Sequence, residues 1–162
     1  MANIILNFKV NDELKQLMID DRDSLADVLR NQLHLISVKK GCEVGECGAC
    51  TVLINDEAFD SCIYLAIWAE GKEIRTIESL MDDSGNISDI QQSFIDEGAV
   101  QCGFCTCGVV MSSIPVLEDD KEYTRDEIKK KLSGNFCRCT GYENILNAVE
   151  KTKKHRCNKS KL

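Results

Sequence analysis

Apolar and polar residues alternate from Ile4 to Val10, a polar Asn11-Asp12 pair interrupts, and Leu14, Leu17 and Ile19 resume the apolar pattern. Alternation on either side of a turn dipeptide predicts a β-hairpin. The pattern then becomes helical. Ser24 is placed to cap a helix whose Leu25, Val28 and Leu29 share a face, with Asp27 in the first turn where the helix dipole favours a negative charge. Thr51 to Ile54 is a short β-branched strand, Asn55-Asp56 a turn, and Lys72 to Ile77 a last strand. A small sheet with one crossing helix is the layout of a β-grasp domain.

Beyond Met81 the stretch Asp82-Asp83-Ser84-Gly85-Asn86 is polar and rich in breakers, and the patterns after it are helical throughout. Ser88 caps a predicted helix through Phe94 and Ile95, and Thr106 starts one that runs toward the lone proline, Pro115. Thr124-Arg125-Asp126-Glu127 is a capping-box sequence ahead of Ile128 and Leu132, with Gly134 as the expected C-cap. A last helix starts near Tyr142 and buries Ile145, Leu146 and Val149. The expectation is an α+β chain: a β-grasp domain over 1–80, a linker over 81–86, an all-α four-helix domain over 87–154, and a basic, disordered tail over 155–162.

The chemistry lies in the ten cysteines. Cys42, Cys47 and Cys50, followed by Cys62, have the spacing of a plant-type ferredoxin site, in which four thiolates hold a 2Fe–2S cluster. Cys102 and Cys105, followed by Cys137 and Cys139, form a second set in a different frame, so the chain is not a tandem repeat. Zinc is the rival occupant, since four thiolates suit it as well as they suit iron. In the first loop Gly41, Gly45 and Gly48 favour a cluster, because they let the backbone turn its amides toward sulfides that zinc lacks. For the second set, spacing alone leaves both metals open. Disulfides are not expected: no charged and apolar leader pattern precedes Val10, and a reducing compartment keeps thiols free.

Charge and hydropathy narrow the partners. Asp and Glu number 27 against 20 Lys and Arg, an acidic balance that disfavours nucleic acid. The longest apolar run, Ile63 to Ala69, is too short to cross a bilayer, and the chain is expected to be cytoplasmic. Two metal-supported domains suit a chain of 162 residues, whose separate cores would be small.

The strings Gly41-Cys42-Glu43-Val44-Gly45-Glu46-Cys47-Gly48-Ala49-Cys50-Thr51, Gln101-Cys102-Gly103-Phe104-Cys105-Thr106 and Gly134-Asn135-Phe136-Cys137-Arg138-Cys139-Thr140-Gly141-Tyr142 resemble the iron–sulfur subunit of the molybdenum hydroxylases, the xanthine oxidase family. The resemblance runs from Ile4 to Lys153. Ser61 to Thr76 is more similar to the bacterial xanthine dehydrogenase subunits than to those of carbon monoxide, nicotinate or aldehyde dehydrogenases. The resemblance implies 2Fe–2S clusters in both sites and an electron-transfer role without a substrate-transforming site of its own. A molybdenum-binding large subunit would hold molybdopterin, where a purine such as xanthine or hypoxanthine is hydroxylated, and a medium subunit would hold FAD. It further implies that the Cys102, Cys105, Cys137 and Cys139 cluster lies next to the pterin, that the Cys42, Cys47, Cys50 and Cys62 cluster passes electrons to FAD, that Gln101 hydrogen-bonds the pterin edge, and that Cys139 lies on the shortest path to iron. A zinc-stabilised interaction module and a free-standing ferredoxin are the readings from other classes.

One departure stands out. The family pattern continues Cys-Thr-Pro-Gly after the second ligand of the helical site, whereas this chain has Cys105-Thr106-Cys107-Gly108. Cys107 reads as a packed thiol, with an alternative ligand or oxidation-sensitive group as the sharper alternative. Cys157 falls in the basic tail. His34 could ligate only in a Rieske-type site, which needs two histidines, and His155 lies in the tail. Tyr64, Leu65 and Trp68 read as core or subunit interface, and Arg138 either as a charge beside a cluster or as a solvated side chain.

Overall fold

The computed structural model describes residues 3–82 and 84–159. Asn11 (φ 48°) and Asp12 (φ 69°) both adopt the left-handed backbone that a two-residue type I′ turn needs. They join β1 (Asn3–Val10) to β2 (Glu13–Asp20) in antiparallel register, with Ile4 opposite Ile19 and Val10 opposite Glu13. Ser24 caps the helix that follows, its hydroxyl accepting from the Asp27 amide at 3.1 Å. The regular part, α1 (Leu25–Asp27), is a single turn, and Val28–Gln32 continues as a π-helix. The predicted crossing helix is thus wound more widely than its periodicity implies, with Leu25, Val28 and Leu29 buried as expected.

A second hairpin, β3 (Thr51–Ile54) and β4 (Glu57–Asp60), turns at Asn55 (φ 49°) and Asp56 (φ 65°). Glu57-Ala58-Phe59-Asp60 shows no clean alternation, so β4 has no counterpart in the sequence expectation. The last strand, β5 (Glu73–Arg75), is shorter than predicted. Thr76 leaves the ladder by donating its amide to the Asn11 side chain at 2.8 Å, and Ile77–Leu80 forms a 3₁₀ turn. The strand order is β2-β1-β5-β3-β4, with β5 parallel to β1 and antiparallel to β3. This is the β-grasp sheet.

The remaining elements are helices: α2 (Asp89–Asp96), α3 (Thr106–Glu118), α4 (Arg125–Lys131) and α5 (Glu143–Lys159). Capping boxes start α2 (Ser88 with Gln91) and α4 (Thr124 with Glu127). Three expectations are corrected. Helix α3 runs through Pro115 to Glu118; burial of Val116 and Leu117 in its last turn outweighs the hydrogen bond that the proline cannot make. Helix α4 is capped at Leu132, and Gly134 is not left-handed. Helix α5 continues through 155–159, which are helical instead of a disordered tail, with Arg156 holding Asp89 at 2.6 and 2.8 Å. Residues 160–162 of that predicted tail, and Asp83 of the predicted linker, lie outside the described residues.

Strand β3 joins the two halves. All four of its residues are buried, Val52 and Ile54 in the sheet core with Phe8, Leu25 and Ile74, and Leu53 in the helical core with Val110, Met111 and Ile114. A strand covered on both faces is continuously apolar, as Thr51-Val52-Leu53-Ile54 nearly is. The start of α3 presses hardest on the loop before β3: a Cβ on Gly108 would stand 2.0 Å from the Gly48 carbonyl oxygen. Gly108→Ala is therefore expected to lower stability by about 3 kcal/mol, read as a lower urea midpoint.

Candidate metal centres

The first thiol set sits on a loop folded back on itself. Glu43 (φ 58°), Gly45 (φ 75°) and Gly48 (φ 66°) take left-handed backbone, which turns amides inward: the Glu46 amide donates to Cys42 Sγ at 3.3 Å. Hydrogen bonds from the backbone of Val44 and Glu46 lower the Cys42 pKa to about 7. Cys50 behaves oppositely. Burial pushes its thiol up to about 12, and it stands 3.7 Å from the Asp60 carboxylate, itself raised by burial.

The second set lies at one end of the helical domain and not at its centre, which is filled by Phe94, Val110, Met111 and Ile114. Cys105 is the N-terminal flanking residue of α3, while Cys137 and Cys139 occupy the loop before α5. Cys102 and Cys139 are exposed. Burial pushes Cys105 up to about 12. Burial opposes ionisation of Cys137 as well, but the Thr140 hydroxyl at 3.1 Å and amide at 3.4 Å bring it below the usual thiol value. Tyr142 braces this loop: its hydroxyl accepts from the Cys137 amide at 3.0 Å, and its own amide donates to Thr140 Oγ1 at 3.2 Å. Its backbone is left-handed (φ 69°), a conformation that costs a bulky residue on the order of 1–3 kcal/mol.

Cys102 and Cys139 are in contact, and among the other thiols of the two sets the strongest mutual influences join Cys42 with Cys47, Cys50 with Cys62 and Cys105 with Cys137. The sulfurs of Cys102 and Cys139 are 3.6 Å apart. Two thiolates on one tetrahedral metal, with metal–sulfur bonds of about 2.3 Å, stand about 3.8 Å apart. Among the described residues, no three Cys, His, Asp or Glu side chains are grouped to hold a single ion. Two pairs per site is the arrangement for two irons with two thiolates each, so the donor sets fit 2Fe–2S clusters.

The remaining candidates lie apart from these pairs. Gln101 and Arg138 are exposed, as is His34, whose backbone is left-handed (φ 57°). Cys107 is half-buried, with Lys39 and Glu78 the charged groups acting on it. Cys157 lies on α5. Tyr64 packs edge-on between Phe59 and Trp68, with Trp68 half exposed. Sequence reasoning missed three residues that shape the sites: Tyr142 as a brace, Asn135, whose side chain donates to the Gly48 carbonyl at 3.0 Å, and Phe104, whose ring reaches the first loop. All three stand inside the cysteine motifs, the one signal that could have marked them.

Family comparison agrees with this geometry. Residues 8–76 match the 2Fe-2S iron-sulfur cluster binding domain, and residues 76–150 the [2Fe-2S] binding domain. The xanthine dehydrogenase iron-sulfur-binding subunit of Escherichia coli O157:H7 is 54% identical over 134 residues, spanning 80% of this chain and 83% of the relative. The chain belongs to the 2Fe–2S iron–sulfur subunits of the molybdenum hydroxylases. An aldehyde oxidoreductase iron-sulfur-binding subunit of Escherichia coli (strain K12) is 44% identical over 160 residues, 90% of this chain and 69% of the relative. The crystal structure of quinoline 2-oxidoreductase from Pseudomonas putida 86 superposes with a TM-score of 0.90 at 36% identity, covering 99% of both chains. This iron–sulfur subunit therefore has two cluster-binding domains, and zinc and a single-cluster ferredoxin fall away. In its metal-free form, Cys42 is expected to alkylate readily at pH 7, being near half ionised, while Cys50 and Cys105 resist until strongly alkaline pH. Iodoacetamide labelling followed by peptide mass spectrometry checks the order.

Proposed function

We propose that this electron-transfer subunit carries electrons from a molybdopterin centre in a large partner subunit to FAD in a medium one, in an enzyme that hydroxylates purines such as xanthine or hypoxanthine. In this reading Cys102, Cys105, Cys137 and Cys139 hold one cluster, and Cys42, Cys47, Cys50 and Cys62 hold the other. When bound, such clusters take up and release single electrons. The observation that carries the reading is the back-to-back placement of the two thiol loops: the Phe136 amide, next to Cys137, donates to the Cys47 carbonyl at 3.0 Å. Cys102 and Cys139 reach the surface, with the exposed Gln101 next to Cys102 in the chain, so a pterin in a partner can meet them there. Val44, two residues from Cys42, and Ile63, next to Cys62, are exposed apolar residues suited to the flavin partner.

The chain's own groups hold and adjust these sites. Inward amides at Cys42, and the amide and hydroxyl of Thr140 at Cys137, favour anionic thiolates; burial at Cys50 and Cys105 keeps solvent from their sulfurs. The purine assignment is supported by the 54% identity to a xanthine dehydrogenase subunit, whereas relatives named for aldehyde and quinoline oxidation share less. No helix among the described residues is long and apolar enough to cross a membrane. Ten unpaired thiols support a reducing compartment such as the cytoplasm.

The domain organisation belongs to the same proposal: a β-grasp unit over 1–80, a connecting segment over 81–86, and a helical unit from 87, extended here to the end of α5. Low-temperature EPR of the dithionite-reduced chain is expected to show two distinct S = 1/2 signals with about four irons and four sulfides. Cys47→Ala should remove one signal, keep the other, and abolish xanthine-driven flavin reduction in the assembled enzyme. Full flavin reduction in that variant sinks the conduit, and turnover of an aldehyde but not xanthine sinks the purine assignment.

A further inference from the structure

We propose that Phe104, a residue of the second thiol motif, is the water-excluding residue of the first site and covers the Cys47 sulfur. The inference rests on reading Cys47 as a ligand of that site, and adds a positioning residue from the other domain. A Cβ built on Gly41 would meet Cys47 Sγ at 3.0 Å and Phe104 Cε1 at 3.3 Å, so the sulfur and the ring edge border the same small volume above Gly41. The ring arrives there because Gly103 (φ 80°) turns the chain between Cys102 and Cys105, closed by the Thr106 amide on the Gly103 carbonyl at 3.3 Å.

The first loop is fixed by two more contacts from the stretch that carries Cys137: Phe136 N–H on the Cys47 carbonyl at 3.0 Å and Asn135 Nδ2 on the Gly48 carbonyl at 3.0 Å. With the loop held at Cys47 and at the next residue, Gly48, the ring keeps its place beside the sulfur. Phe104 is 47% exposed, which suits a cover with one face on the site and the other toward solvent. A phenyl ring brings no donor to the sulfur. Water in its place would donate hydrogen bonds, and these stabilise the more negative, reduced state of a cluster.

The test uses the full chain with both clusters, comparing wild type with Phe104→Ala, Phe104→Leu and Phe104→Trp by deuteron spin-echo modulation in D2O and by EPR-monitored redox titration. Phe104→Ala is expected to deepen deuteron modulation on the signal that Cys47→Ser alters and to raise that signal's midpoint potential, leaving the other signal unchanged. Phe104→Trp should restore both. If Phe104→Ala fails to retain iron, Phe104→Leu gives the same comparison with a smaller shift. An unchanged first signal, or equal shifts in both signals, overturns the inference, since simple loss of packing would not choose the more distant site. Should neither signal depend on Cys47, the ligand reading itself fails; dependence on Cys47 without dependence on Phe104 defeats only the cover.

Discussion

The approach of two backbones, Gly48 in the first thiol loop and Gly108 in the first turn of α3, is the constraint from which the rest of the molecule follows. The Gly48 carbonyl receives the Thr51 amide at 3.3 Å, the Thr51 hydroxyl at 2.8 Å and the Asn135 side chain at 3.0 Å. It is thus satisfied although buried against another domain, where an unpaired carbonyl would cost roughly 1–3 kcal/mol. A side chain at either glycine would separate the domains: a Cβ on Gly48 would stand 2.4 Å from the Asn135 amide nitrogen, besides needing left-handed backbone. Because the junction is made by the loops that carry the thiols, domain packing and the spacing of the two sites are one property. Arg75 on β5, bridging Glu118 at the end of α3 at 3.0 and 3.2 Å, ties the opposite end of the same helix.

The two sites are stabilised by different means. Around Cys42 the donors are backbone amides presented by left-handed residues, which lower a thiol pKa without bringing a charge. Around Cys137 they are the amide and hydroxyl of Thr140, with the Tyr142 hydroxyl securing the Cys137 amide. A backbone donor is fixed by the chain path, whereas a hydroxyl can reorient. The strained Tyr142 backbone indicates how much surrounding structure is committed to that loop. Asp60 beside Cys50 acts the other way, since a half-buried carboxylate disfavours further negative charge on the neighbouring sulfur.

Much of this was legible in the sequence because it is local. Turn dipeptides such as Asn11-Asp12 and Asn55-Asp56, the Thr124–Glu127 capping box and the cysteine spacings each encode their geometry within a few residues. What was not legible is tertiary. The π-turn after Asp27, the early end of β5 at Arg75 and the continuation of α3 past Pro115 depend on what packs against them. The pairing of Cys102 with Cys139 and Cys105 with Cys137 likewise requires knowing how the loop before α5 returns to the start of α3. The tail shows the same limit: its basic composition reads as solvated, yet Arg156 finds Asp89, 67 positions away.

The exposure of the second site gives the molecule a direction. Cys102 and Cys139 are exposed, with Phe104, Phe136 and Tyr142 exposed in the same motifs, whereas Cys50 of the first site is 2% exposed. Water at those sulfurs would stabilise added charge at the second site. Covering them with a partner removes that water and lowers the affinity of the second site for an electron relative to the first. In the proposed reading, assembly with the molybdenum subunit would therefore favour movement toward the first site, because the partner desolvates Cys102 and Cys139 while Cys50 of the first site is already buried in the sheet core.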